Sequence, residues 1–193
     1  LRGHRVTLWE EAARPGGRWS WLQRGYIGER MKELKSMGVT VELGKEASPQ
    51  AATALGPDAI LVTPRAKPSR PDIPGCDGDR CLPATELLDQ KQKVSGRVVV
   101  LGTGNTGCEV THLLSRQGVS VTMLGEQAAG HGVEPATGKV LVQQFEEQGV
   151  KVLSDVQVTA IDTGAVKFQD KDGSPGTVGA DWVVLALEEQ PME

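Results

Sequence analysis

The chain has 193 residues, a formal net charge of −4 and only 4% aromatic residues, with 24 glycines. That length holds one large or two small domains. The acidic balance argues against nucleic-acid binding, which runs on clustered Lys and Arg. No apolar run reaches the roughly eighteen residues of a membrane helix, and three cysteines without a dense framework suit a reducing, cytoplasmic setting.

In chain order, Arg5–Trp9 reads as a buried strand and Ile27–Met37 as an amphipathic helix, with Ile27, Met31, Leu34 and Met37 on one face. Val39–Leu43 and Ala59–Val62 read as strands. Lys67–Pro83 is rich in proline and glycine and reads as a linker, followed by a short helix at Ala84–Lys91. Arg97–Leu101 is a strand and Asn105–Gln117 its helix; Ser120–Leu124 is the next strand and Thr137–Gln148 a crossover helix. Val150–Leu153, Val156–Asp162 and Ala165–Gln169 are strands, the last two joined by a Thr163-Gly164 turn. Lys171–Gly179 reads as a polar hairpin loop and Trp182–Leu187 as the closing strand. Paired βα units followed by a meander predict an α/β, Rossmann-like three-layer domain at 84–193. A truncated second copy of the same fold, with its linker, is expected at 1–83.

The motif with the most chemistry is Gly102-Thr103-Gly104-Asn105-Thr106-Gly107, a G-x-G-x-x-G between an apolar strand and a helix. In such a turn Gly102 permits the bend off the strand, Gly104 lets backbone approach a pyrophosphate, and Gly107 lets the helix pack closely. The helix start then offers unpaired N–H groups and partial positive charge to phosphate. A dinucleotide is the expected ligand. An acid at the end of the following strand holds the ribose of NAD, whereas an arginine takes the NADP phosphate. The chain reads Leu124-Gly125-Glu126-Gln127 there, with no Lys or Arg before Lys139. Glu126 stands one place later than the usual acid, and NAD is expected over NADP.

The chain also repeats itself. Gly3–Glu10 is echoed by Gly118–Glu126, Leu34–Val41 by Phe145–Val152, and Asp58–Val62 by Asp181–Leu185. The order is conserved between the copies, which points to a duplicated domain. The first copy starts at Leu1 without its own first strand and glycine loop, so the chain is expected to be a piece of a longer polypeptide.

The fingerprint Gly102–Gly107, the stretch Arg70-Pro71-Asp72-Ile73-Pro74-Gly75, and Val6-Thr7-Leu8-Trp9-Glu10 followed by Gly16-Gly17 together resemble the flavoproteins with two dinucleotide-binding domains. These belong to the pyridine nucleotide-disulfide oxidoreductase superfamily. Gly16-Gly17-Arg18-Trp19 is most similar to NADH:flavin oxidoreductases of the 2,4-dienoyl-CoA reductase and trimethylamine dehydrogenase type. The resemblance implies an FAD- and NAD(P)H-dependent oxidoreductase in which the nicotinamide lies over the flavin and passes it a hydride. It implies that Glu10 binds the FAD ribose, that Gly16, Gly17 and Arg18 lie near the flavin, and that Glu109 lies near the nicotinamide. It further implies an upstream catalytic domain of the same polypeptide, with a barrel and an iron–sulfur cluster. Because the cofactors carry the chemistry, no catalytic side chain and no metal ligand is assigned. Two places where the family carries Ala-Thr-Gly read Thr63-Pro64-Arg65 and Ala186-Leu187-Glu188-Glu189 here. With the first glycine loop missing, tight FAD binding by this piece alone is not expected. The rival readings are a non-catalytic dinucleotide- or ADP-binding module and an ordinary single-cofactor dehydrogenase. Cys76 and Cys81 have the spacing of a redox pair but fall in the linker. Cys108 is expected to pack, and His131, between two glycines, to lie either free or near a bound nicotinamide.

Overall fold

The computed structural model describes residues 3–17, 24–63, 66–67, 70–89, 91–187 and 190–191. It forms two compact units, Leu1–Thr63 and Pro64–Glu193.

In the first unit, β1 (Thr7–Glu10) pairs in parallel with β2 (Thr40–Leu43), joined through α1 (Arg24–Ser36). A short α2 (Pro49–Ala54) follows, capped by the Ser48 hydroxyl, which accepts the Ala51 N–H at 3.2 Å. Proline at the first helical position and serine at the cap are the residues a helix start favours. The expected helix face is present in part: Ile27, Met31 and Leu34 are half-buried, whereas Met37 lies past the helix end and is exposed.

The second unit holds a five-stranded, all-parallel sheet in the order β4-β11-β5-β6-β7. Its strands are β4 (Cys81–Pro83), β5 (Arg97–Leu101), β6 (Ser120–Leu124), β7 (Lys151–Leu153) and β11 (Trp182–Leu185). The two-residue β3 (Ala66–Lys67) and β12 (Gln190–Pro191) pair antiparallel. β5 lies between β11 and β6, and Val98, Val99, Val100 and Leu101 are all buried. An unbroken apolar run is what a central parallel strand needs, since both of its faces are covered. Helices α3 (Ala84–Leu88), α4 (Asn105–Arg116) and α5 (Pro135–Glu147) pack on one another, and α4 lies on β5 and β6. Val99, Leu101, Leu124, Val183 and Leu185 pack instead with Val156, Val166 and Phe168 of the antiparallel meander β8 (Val156–Asp162), β9 (Ala165–Asp170) and β10 (Pro175–Gly179). Helices, sheet and meander make the three layers. The fold is the expected Rossmann-like one.

The first two sequence echoes are structural. β1 pairs with β2 as β6 pairs with β7, and the preceding helices α1 and α5 both run out at a glycine of positive φ, Gly38 at 77° and Gly149 at 74°. The third echo is not. β11 is buried between β4 and β5, whereas Ala59–Val62 forms no strand and leaves Leu61 92% exposed. An apolar run becomes a strand only where neighbours take its N–H and C=O groups, and Ala59–Val62 has none among the described residues.

Three more expectations change. The strand at Arg5–Trp9 begins at Thr7 and is exposed to half-buried rather than buried. Lys171–Gly179 is not all loop, because Pro175–Gly179 pairs with β9 as an edge strand. The stretch 70–83 does not behave as a free linker. It packs into the second unit: Cys76 is buried, the Pro74 carbonyl accepts the Ile161 N–H at 2.8 Å, and Cys81–Pro83 adds a strand beside β11.

At the other end of the sheet, Arg97 donates its backbone N–H to Asp181 Oδ2 and a guanidinium N–H to Oδ1, both at 2.8 Å, clamping the starts of β5 and β11. These hydrogen bonds hold the Asp181 carboxyl down to about 2. A free aspartate titrates near 3.9. The folded pKa is the lower one, so the stabilisation is complete above the unfolded value and disappears as pH falls through the folded one. Asp181→Asn should therefore lower the melting temperature at pH 7, with the gap to wild type closing between about pH 5 and 2. A gap of constant size across that range would contradict the clamp.

Candidate functional site

The fingerprint turn is built from backbone contacts. Gly102 leaves β5 with φ of 122°, its N–H donating to the Leu124 carbonyl at 2.8 Å. A Cβ there would collide with the Ala186 carbonyl oxygen at the end of β11. Gly107, in the first turn of α4, sits against Gly102, and a Cβ on it would collide with the Gly102 carbonyl oxygen. Both positions exclude a side chain for reasons internal to the fold. Gly104 does not. Its φ of −78° and ψ of −164° suit any residue, and an added Cβ would meet nothing nearer than the His131 carbonyl oxygen at 3.5 Å.

Gly104 is also the N-cap of α4, and no side chain caps the helix start. The Cys108 N–H is used, donating to the Gly104 carbonyl at 2.9 Å. The N–H groups of Asn105, Thr106 and Gly107 precede it in the first turn, where a helix has no intrahelical acceptors to offer. Gly104, Asn105 and Thr106 line a cleft of about 910 Å³ at the C-terminal edge of the parallel sheet. Gly102 to Thr106, Leu124 to Gln127, His131, Gly132, Ala186 and Leu187 line it, with Pro71, Asp72 and Ile73 closing one side. Ligands of open α/β sheets bind at this edge.

Thr103 is buried within the turn and its carbonyl accepts the Gly130 N–H at 2.8 Å. Gly125 is held from both sides: its N–H donates to Leu153 and its carbonyl accepts from Val156, each at 3.1 Å. A Cβ at Gly125 would come within 2.7 Å of Thr103 Oγ1. The first position past β6 thus admits no side chain, and Glu126 presents its exposed carboxylate from the next residue. Glu109 lies on α4, accepting an N–H from Asn105 at 3.2 Å. Among the described residues lining the cleft, two are acidic and none is Lys or Arg.

The expected site residues fall in two places. Gly102, Thr103, Gly104, Asn105, Thr106 and Glu126 line the cleft, with Gly107 and Glu109 on the helix beside it. Glu10, Gly16 and Gly17 belong to the first unit. There the Glu10 carboxylate accepts the Ala12 N–H at 2.9 Å, and Gly16, with φ of 95°, packs on Ile27. Arg18 lies outside the described residues. The sequence reading missed Gly125 and the Pro71–Ile73 wall, whose prolines look like linker. All three thiols are buried and free. Burial, and then the neighbouring Cys76, pushes Cys81 up to about 11. Burial also raises Cys108, against a weaker opposing hydrogen bond from the Gly130 backbone. These are packing cysteines, as expected of Cys108.

Residues 34–188 match the family model of the pyridine nucleotide-disulphide oxidoreductases. The chain belongs to that family. Its members are oxidoreductases that use FAD and a nicotinamide dinucleotide. Among curated relatives, the bilirubin reductase of Mediterraneibacter gnavus is 33% identical over 205 residues, covering 99% of this chain and 31% of that protein. The NADH oxidase of Thermoanaerobacter brockii is 30% identical over 206 residues, with the same coverage. This chain therefore spans about a third of the length of the relatives it matches. Among solved structures, a 2-naphthoyl-CoA reductase superposes with a TM-score of 0.85 at 24% identity over 97% of this chain, a likeness of fold. No helix among the described residues is long and apolar enough to cross a membrane.

The glycines predict separable effects. Gly107→Ala forces α4 away from Gly102 and should cost about 2 kcal/mol or more of stability. Gly104→Ala should leave the melting temperature within a degree or two of wild type. Equal losses in thermal unfolding would contradict this division.

Proposed function

We propose that this chain is the pyridine-nucleotide-binding module of a flavin-dependent NAD(P)H oxidoreductase, and that it presents the nicotinamide to FAD. One observation carries the reading. Gly104 has no conformational or packing reason to be glycine, yet it caps an otherwise uncapped helix start at the edge of the cleft. A Cβ there would meet only the His131 carbonyl oxygen, at 3.5 Å, beside the cleft that Gly104 lines. The residues fit a dinucleotide: the N–H groups of Asn105, Thr106 and Gly107 bind the pyrophosphate, Glu126 accepts from the adenosine ribose hydroxyls, and Ala186 and Leu187 border the far end.

When bound, the nicotinamide supplies a hydride to the flavin. The chain's own residues bind and orient. Glu109 and Asn105, joined by a hydrogen bond, stiffen the first turn of α4. The acidic, cation-poor lining favours NADH over NADPH, whose extra phosphate would meet Glu126 without a compensating arginine. The relatives that match across this chain are about three times its length, which supports further domains elsewhere in the polypeptide; the resemblance carried by Gly16–Trp19 makes the parent one of the 2,4-dienoyl-CoA reductase type, with a flavin barrel and an iron–sulfur cluster. In that parent, Glu10, Gly16, Gly17 and Arg18 would serve the FAD.

Leu187, half-buried at the cleft where the family carries a close-approach motif, favours a second reading in which a bound dinucleotide or ADP is structural. Absorbance of the full-length protein separates the two. A flavin spectrum bleached by NADH supports the oxidoreductase, and a colourless protein that still binds NADH supports the structural role.

For the site itself, calorimetric titration of NADH should show Gly104→Val weakening affinity at least tenfold with the fold retained. NADPH should bind wild type more weakly than NADH does. Unchanged affinity in the variant would place the nucleotide elsewhere.

A further inference from the structure

We propose that His131 binds the dinucleotide pyrophosphate through its protonated imidazole, so that affinity rises as pH falls through the histidine range. The inference rests on the cofactor reading above and adds to it a residue and a pH response. The turn carrying His131 is fixed to the phosphate turn: the two chains make a parallel bridge at Gly104 and His131, and the Gly130 N–H donates to the Thr103 carbonyl at 2.8 Å. The His131 N–H is used within its own turn, donating to Ala128 at 3.2 Å. Its side chain is exposed, lines the cleft, and makes no hydrogen bond or ion pair among the described residues.

Charge makes this histidine matter. A pyrophosphate brings two negative charges. The start of α4 offers about half a positive charge, and no Lys or Arg lines the cleft among the described residues. His131 is the lining group there that can become a cation. The other titratable groups on the neighbouring elements are Asp72 on the wall, Glu126 after β6 and Glu109 on α4, all carboxylates. Glu134, at the start of α5, caps that helix by accepting the Ala136 and Thr137 N–H groups at 3.1 and 2.9 Å, which hold it below the usual range. Lys139 lies on α5 and is absent from the cleft lining. On α4, His112 has its pKa lowered by burial and by Arg116, and burial raises the Cys108 thiol.

The test is the dissociation constant of NADH between pH 6.0 and 8.5, at low and fixed ionic strength, for wild type and His131→Gln. ADP-ribose, which keeps the pyrophosphate and lacks the nicotinamide, serves as a second probe. Neither probe has a phosphate that titrates in this range. Wild type should bind both probes about two- to five-fold more tightly at pH 6.0 than at 8.5, the size expected of a partly solvated charge pair. His131→Gln should fold normally, bind at every pH with the affinity of wild type at pH 8.5, and show no slope. A wild-type affinity independent of pH, or a slope that survives in His131→Gln, overturns the proposal. A slope for NADH but not for ADP-ribose overturns the pyrophosphate assignment. Absence of NADH binding at every pH overturns the cofactor reading itself.

Discussion

Everything at the cleft depends on one crowded crossing of backbone. Gly102, Gly107 and the Ala186 carbonyl meet so closely that no Cβ fits at either glycine. The end of β5, the first turn of α4 and the end of β11 are therefore locked together without side chains between them. Two consequences follow from that geometry. The start of α4 is held at the sheet edge, where Asn105 and Thr106 line the cleft. The cleft also opens at the ends of β5, β6 and β11, where Leu101, Leu124 and Ala186 line it, the edge at which parallel sheets of this kind bind ligands.

The second constraint is electrostatic. The lining combines Asp72 and Glu126 with no described Lys or Arg, so what it could offer an anionic ligand is the backbone dipoles of the α4 start and the His131 side chain. Such a site recognises phosphate by shape and direction of N–H groups rather than by net charge. It also discriminates against extra negative charge. The overall charge of −4 points the same way. Long-range attraction contributes little, and affinity has to come from fit.

How far the sequence could be read depended on whether an element's pattern is caused locally. Val98–Leu101 was plain because a strand covered on both faces must be apolar throughout, and Gly107 has its steric cause close by, at Gly102; the cause at Gly102 itself, the Ala186 carbonyl, lies far along the chain. The α5–β7 unit and its echo in α1–β2 were plain because a glycine of positive φ ends each helix. Ala59–Val62 misled because its apolar run matches that of β11, while a strand also needs partners that composition does not reveal. The wall at Pro71–Ile73 was hidden for the opposite reason. Prolines suggest a loose linker, yet the carbonyls of this stretch are used, with Ile73 accepting from the Cys76 N–H at 3.1 Å and Pro71 from the Cys76 thiol at 3.1 Å. The pairing of Pro175–Gly179 with β9 was hidden likewise, since an edge strand tolerates a starting proline and interior glycines. The exclusion of a side chain at Gly125 needs Thr103, 22 residues earlier by number, to be seen beneath it.

The central claim is that the start of α4 binds the phosphates of a nicotinamide dinucleotide. Backbone amide resonances of the ¹⁵N-labelled chain, followed during titration with NADH, address it directly. The account predicts that the largest shifts fall on Asn105, Thr106 and Gly107, with smaller ones at Glu126 and His131. Shifts that spare Asn105–Gly107 and gather elsewhere in the chain would contradict it.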